Sequence, residues 1–141
     1  MKFGVEIPFV NHLGFDLVVF EGGQSEIHYT PLPVHLNSFE VTHGGAVMTL
    51  LDVTMATAAR SVQQDLGVVT IEMKTSFMRP AKGPLVGRGR LLHRTKSMAF
   101  VQADVLDASG ALCANSTGTF KYVARPPADP LTRLERPLST D

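Results

Sequence analysis

At 141 residues with 44% hydrophobic content, the chain is long enough for one domain with a proper core. Thirteen basic side chains balance thirteen acidic ones, so nothing argues for nucleic acid or an anionic membrane as the main partner. The single cysteine, Cys113, has no internal disulfide partner, which fits a reducing cytosol, and among small neighbours it reads as core packing rather than a nucleophile.

No apolar run approaches the roughly 20 residues of a membrane span. Met1 to Pro8 carry no signal-peptide pattern. The expectation is a soluble cytoplasmic protein. Residues 3–13 predict a short helix or turn at the domain edge. Residues 14–20 and 25–30 predict a β-hairpin about a turn at Glu21-Gly22-Gly23-Gln24. Pro31 and Pro33 end it, and a loop runs on to Val41. A loop this long before an apolar helix is often functional. Thr42 is a candidate N-cap for a helix from about 43 to about 64, stopped by Asp65-Leu66-Gly67. Four strands follow, at 68–78, 85–93, 98–107 and 111–123, with the alternation and regular turn spacing of an antiparallel meander. Beyond Tyr122 the composition turns polar and proline-rich, so 125–141 is expected as a loose tail and 1–124 as the domain, with its core at 10–123. The order predicts an α+β fold in which a curved antiparallel sheet wraps one apolar helix.

The chemistry concentrates in that helix. His43-Gly44-Gly45 precede an apolar run in which Asp52 is the one acid or base before Arg60. Burying a charge is costly unless it is paired, so Asp52 asks for an explanation. A helix N-terminus behind small residues offers unpaired N–H groups and partial positive charge, the geometry of an oxyanion site. The two glycines equally fit close packing. Asp52 lies eight residues past Gly44, about 12 Å along the axis, too far to share one reacting centre within a chain. The two groups would meet if a second copy packed its helix antiparallel, which predicts an obligate dimer with two shared sites. A structural aspartate capping a nearby loop is the competing reading.

Other polar residues carry weaker signals. Asn37 in the loop could be an ordinary turn residue, and Thr70 an ordinary β-former. His43 could orient a carbonyl or only pack on the loop. No histidine pair has ligand spacing, so no metal is expected. Arg94 and Lys96, in the turn before the third of the four strands, are candidates to contact phosphates if the ligand carries them.

Asn37, His43-Gly44-Gly45, Asp52 and Thr70, with the later strand ending Phe77-Met78-Arg79-Pro80, resemble the hotdog-fold acyl-CoA thioesterases of the phenylacetic-acid-degradation type. The resemblance covers about residues 10–123. It implies a helix wrapped by six antiparallel strands, paired into a homodimer with a continuous sheet, and often a homotetramer. It implies that the Gly44 N–H polarises the thioester carbonyl and that Asn37 places substrate or water. Asp52 would be nucleophile or general base, with Thr70 assisting the attacking water. Gly44 and Asn37 would come from one chain, Asp52 and Thr70 from the other. His43 and Gly45 would complete the helix entrance, Leu50, Leu51 and Met55 with residues of the partner would floor the acyl pocket, and no cofactor would be needed beyond the coenzyme A of the substrate. A non-catalytic acyl-CoA binding module is one alternative, against which Asp52 argues. A hydratase or dehydratase on the same fold is another, with His43 as its proton carrier.

Overall fold

The computed structural model describes residues 3–125. The elements, in order, are α1 (Pro8–Leu13), β1 (Asp16–Glu21), β2 (Gln24–Tyr29), a 3-10 turn (Pro33–His35), α2 (Gly44–Arg60), β3 (Gly67–Phe77), β4 (Leu85–Arg94), β5 (Met98–Asp107) and β6 (Leu112–Val123). All six strands form one sheet in the order β1-β2-β4-β5-β6-β3, with every neighbouring pair antiparallel. The sheet curves around α2, as the sequence order predicts. The expected tail beyond Arg125 lies outside the described residues.

The helix seats on the sheet through small residues. A Cβ at Gly87 would stand 2.5 Å from Thr54 Oγ1, and one at Gly89 would stand 2.7 Å from the Thr54 carbonyl oxygen. Only glycine lets β4 approach the helix backbone this closely. Ser25 Oγ donates to the same Thr54 carbonyl at 2.6 Å, fastening β2 to the helix. Leu17, Ile27, Leu50, Leu51, Met55, Val105 and Phe120 fill the space between helix and sheet with no exposed surface.

Two expectations need correction. Only β4, β5 and β6 form a meander, because β3 pairs with β6 instead of β4 and becomes the far edge. The N–H groups of Met78 and Arg79 both donate to the Cys113 carbonyl, at 2.8 and 3.1 Å, holding the chain on β6 past the end of β3. Pro80 has no N–H with which to extend that ladder. The Ala81 carbonyl then accepts from Thr42 N–H at 2.9 Å, so the connection to β4 passes beside the entrance of α2. The helix also ends at Arg60, about one turn earlier than expected. Its last carbonyls find other partners there. Ser61 Oγ donates to Ala58 at 2.7 Å, and Tyr122 Oη donates to Ala59 at 2.7 Å. A helix end satisfied by side chains has no need of a further turn.

Candidate active site

The entrance of α2 explains the His-Gly-Gly sequence. His43, and not the expected Thr42, is the N-cap, and its Nδ1 accepts from the Gly45 N–H at 2.8 Å. A Cβ at Gly45 would crowd that nitrogen at 3.1 Å, so a larger residue there would push the His43 ring by a few tenths of an ångström. Ala46 and Val47 N–H groups donate to the His43 carbonyl. The Gly44 N–H is left with no partner among the described residues. Unpaired amides at a helix N-terminus favour negative charge.

The loop before the helix is built around Asn37. Its Oδ1 accepts from the N–H of Phe39 at 2.9 Å and of Val41 at 3.3 Å, and its own N–H donates to the Val41 carbonyl at 2.8 Å. Glu40 takes a left-handed conformation (φ 60°) to close this turn. The His35 carbonyl accepts from His43 N–H at 2.9 Å, tying the loop to the cap. Buried His35 is itself held by Tyr29, whose hydroxyl donates to Nδ1 at 2.7 Å. Asn37 is therefore a turn residue, and its amide NH2 has no partner among the described residues. Asn37, Gly44, Phe77, Arg79, Lys82 and Cys113 line a cleft of about 520 Å³ at this end of the helix. Cys113 is buried at its base, and burial pushes its thiol pKa up, which favours the protonated form.

A second polar pair stands farther along. Thr70 Oγ1 donates to Asp52 Oδ1 at 2.6 Å, joining the outer face of α2 to β3. The β3–β6 register shifts between Thr70 and Glu72, a bulge immediately after the residue that reaches Asp52. Asp52 Oδ2 accepts no hydrogen bond from a described residue. Asp52 also lines a separate cleft of about 380 Å³ between α2, the N-terminal segment and the start of β3.

The predicted site residues thus fall into two groups within one chain, Asn37, His43, Gly44 and Gly45 at the helix entrance and Asp52 with Thr70 about 12 Å along its axis. Two expectations change. Leu50, Leu51 and Met55 have no exposed surface, face the sheet and line neither cleft. Arg94 and Lys96 sit near the other end of the helix, where Arg94 donates to Gln63 at 3.3 Å and stacks 4.4 Å over the Tyr122 ring. The basic residues beside Gly44 are Arg79 and Lys82. Their sequence signal was position, next to the Phe77–Pro80 segment that the connection brings to the helix entrance.

Six antiparallel strands curved around one long helix define the hotdog fold. The family model of the thioesterase superfamily matches residues 39–114, just over half of the chain and all of α2. The chain belongs to the thioesterase superfamily. A conserved protein of Pseudomonas aeruginosa superposes with a TM-score of 0.80 at 30% identity, covering 85% of this chain and 97% of that one. The E. coli PaaI protein, from the phenylacetic acid degradation operon, matches with a TM-score of 0.77 over 82% of this chain and 84% of its own, and at 22% identity it speaks for the fold. A Thermoplasma acidophilum protein named "Putative esterase" is 29% identical over 119 residues, 83% of this chain and 89% of that protein. No helix among the described residues is long and apolar enough to cross a membrane.

Proposed function

We propose that the protein is a cytoplasmic acyl-CoA thioesterase that works as a homodimer, with Gly44 and Asn37 of one copy facing Asp52 and Thr70 of the other. The observation that carries this reading is the 2.6 Å hydrogen bond from Thr70 to Asp52, which fixes one carboxylate oxygen and leaves the second for a water. The unpaired Gly44 N–H supports an oxyanion site, and the axial separation of about 12 Å supports a second copy as its complement. β3 supports the pairing as well. It is a long edge strand with exposed Val69 and Ile71, and such edges invite another strand.

In this mechanism the thioester carbonyl oxygen rests on the Gly44 N–H. Asp52 takes a proton from water as the water oxygen bonds to the carbonyl carbon. Negative charge gathers on the carbonyl oxygen, where one such donor is typically worth about 3–4 kcal/mol. The tetrahedral intermediate collapses, the C–S bond breaks, and coenzyme A leaves as the thiol with the proton from Asp52. Direct attack by Asp52 through a mixed anhydride is the nucleophilic form of the same site. Arg79 and Lys82, at the mouth of the Gly44 cleft, are the side chains proposed to meet the nucleotide phosphates.

The test is free-thiol release from a panel of acyl-CoAs, with Asp52→Asn run beside the unaltered protein. Release by the protein and loss of about 10²–10⁴ in kcat/KM in the variant support the thioesterase reading with Asp52 as its base or nucleophile. Tight binding of acyl-CoA by both with no release would make the chain a binding module. Hydration of an enoyl-CoA without thiol release would make it a hydratase.

A further inference from the structure

The second cleft begins at Asp52 and ends in positive charge. Asp52, Ala56 and Arg60 lie four residues apart in succession, so they line one face of α2, with Val53 and Val68 supplying apolar wall between the ends. Arg60 is only 8% exposed, yet it has no carboxylate partner among the described residues. One of its terminal nitrogens donates to the Phe3 carbonyl at 3.2 Å, its carbon lies 5.6 Å from the Phe20 ring centroid, and its Nε–H is buried with no acceptor. The nearby charge is another cation. Arg125 lines the same cleft, and burial together with that positive neighbour pushes the Arg60 pKa down. Glu6 is the other acid on the cleft wall, but it is exposed and accepts from Asn11 at 2.6 Å.

An uncompensated buried guanidinium is costly, and arginine does not relieve the cost by losing its proton. An anion entering the cleft would relieve it, and a planar carboxylate matches the guanidinium fork. We propose that this cleft takes the acyl group, and that Arg60 with Arg125 selects acyl chains ending in a carboxylate, that is, dicarboxylic-acid monothioesters of coenzyme A. The proposal rests on the thioesterase reading, which places the scissile carbonyl beside Asp52. From Asp52 to Arg60 the helix advances about 12 Å, and an extended eight-carbon chain of about 9 Å leaves room for a hydrogen bond at its carboxylate end.

The experiment compares kcat/KM for an eight-carbon acyl-CoA ending in carboxylate with that for the same chain ending in carboxamide. It uses full-length protein and the variants Arg60→Met and Arg125→Gln. The carboxylate substrate is expected to win by about tenfold or more, the scale of one charge-assisted hydrogen bond, and each variant is expected to shrink that ratio. Arg60 also donates to the Phe3 carbonyl and Arg125 to the Leu66 carbonyl at 3.1 Å, so the urea midpoint of each variant is measured beside its ratio. A carboxylate-to-carboxamide ratio of one or below in the unaltered protein, with both chains hydrolysed, would overturn the inference alone. The thermal shift produced by the free eight-carbon dicarboxylic acid gives an independent reading. A rise in Tm that Arg125→Gln abolishes, with no acyl-CoA turned over, would keep the anion site and remove the thioesterase. A carboxylate preference that appears only after Asp129, Glu135 and Asp141 are neutralised in the full chain would mean that the protein's own acids occupy the site, and would overturn the substrate assignment.

Discussion

The two long faces of α2 are written in the same apolar alphabet and meet different surroundings. Toward the sheet, Leu50, Leu51, Met55 and Ala58 are fully buried. On the opposite face Val53 and Ala56 are only partly covered, Met48 is exposed, and Asp52 stands among them. Packing accounts for the first face without remainder. The second is as apolar as a core, but the described residues do not bury it. An apolar helix face with one hydrogen-bonded carboxylate is the surface that the proposed shared site would use. The fold is secured on one side of the helix so that the other side can remain available.

Exchanging one residue on each face is the strongest way to break this contrast. Leu51→Ala is expected to cost about 3–5 kcal/mol of unfolding free energy through lost burial and a residual cavity. Urea denaturation would measure it, and the molecules that remain folded should keep their turnover. Asp52→Asn is expected to do the reverse, losing thiol release while the urea midpoint stays within about 0.5 kcal/mol of the unaltered protein. If Leu51→Ala abolished turnover in fully folded protein, the inner face would belong to the site after all.

Thr70→Val sharpens the outer face. In the proposed mechanism Thr70 acts through Asp52 as a positioning residue, so its loss should lower kcat by about ten- to a hundredfold, the scale of one hydrogen bond to a charged group, and leave KM largely unchanged. Thr70→Ser, which keeps the hydroxyl, should restore most of kcat. A Ser variant as poor as Val would show that the methyl group matters, through packing on β3, more than the 2.6 Å bond does.

These faces also show what was legible in the sequence and what was not. The helix entrance was readable to within one residue because the His43-Gly44-Gly45 run marks it, but the cap is His43 and not Thr42, since only the imidazole nitrogen reaches the Gly45 N–H. The strands were readable from alternation. Their pairing was not, since β3 alternates in the same way whether it lies beside β4 or β6. The decision falls to the Cys113 carbonyl and the chain that crosses below the helix entrance. Leu50, Leu51 and Met55 were expected at the pocket because a helix apolar all round does not declare which side the sheet takes. Gly87 and Gly89, far along the chain on β4, make that choice by admitting the helix backbone. Arg60 gives no sequence signal because a cation in the last turn of a helix is ordinary, and only its burial without a carboxylate partner sets it apart.

The smallest effect is expected on the solvent side of the sheet, away from both faces of the helix. Glu26 on β2 accepts from Arg88 Nε at 2.8 Å and pairs with His28 Nε2 at 2.9 Å. Partial burial works to raise its pKa, but the hydrogen bonds and charges of His28 and Arg88 outweigh it and leave the carboxyl below its ordinary value of 4.5. The sign follows from linkage. A carboxyl whose pKa is depressed by folding stabilises the folded state above its unfolded pKa, and that contribution fades as pH falls through the folded value. Glu26→Gln should therefore narrow the loss of stability between pH 7 and the region below pH 4.5, seen as a smaller drop in urea midpoint. The partners are solvent-exposed, so the change should stay within about 1 kcal/mol and shrink in high salt. Turnover at pH 7 should not move, because the pair ties β2 to β4 on the side of the sheet that α2 never touches.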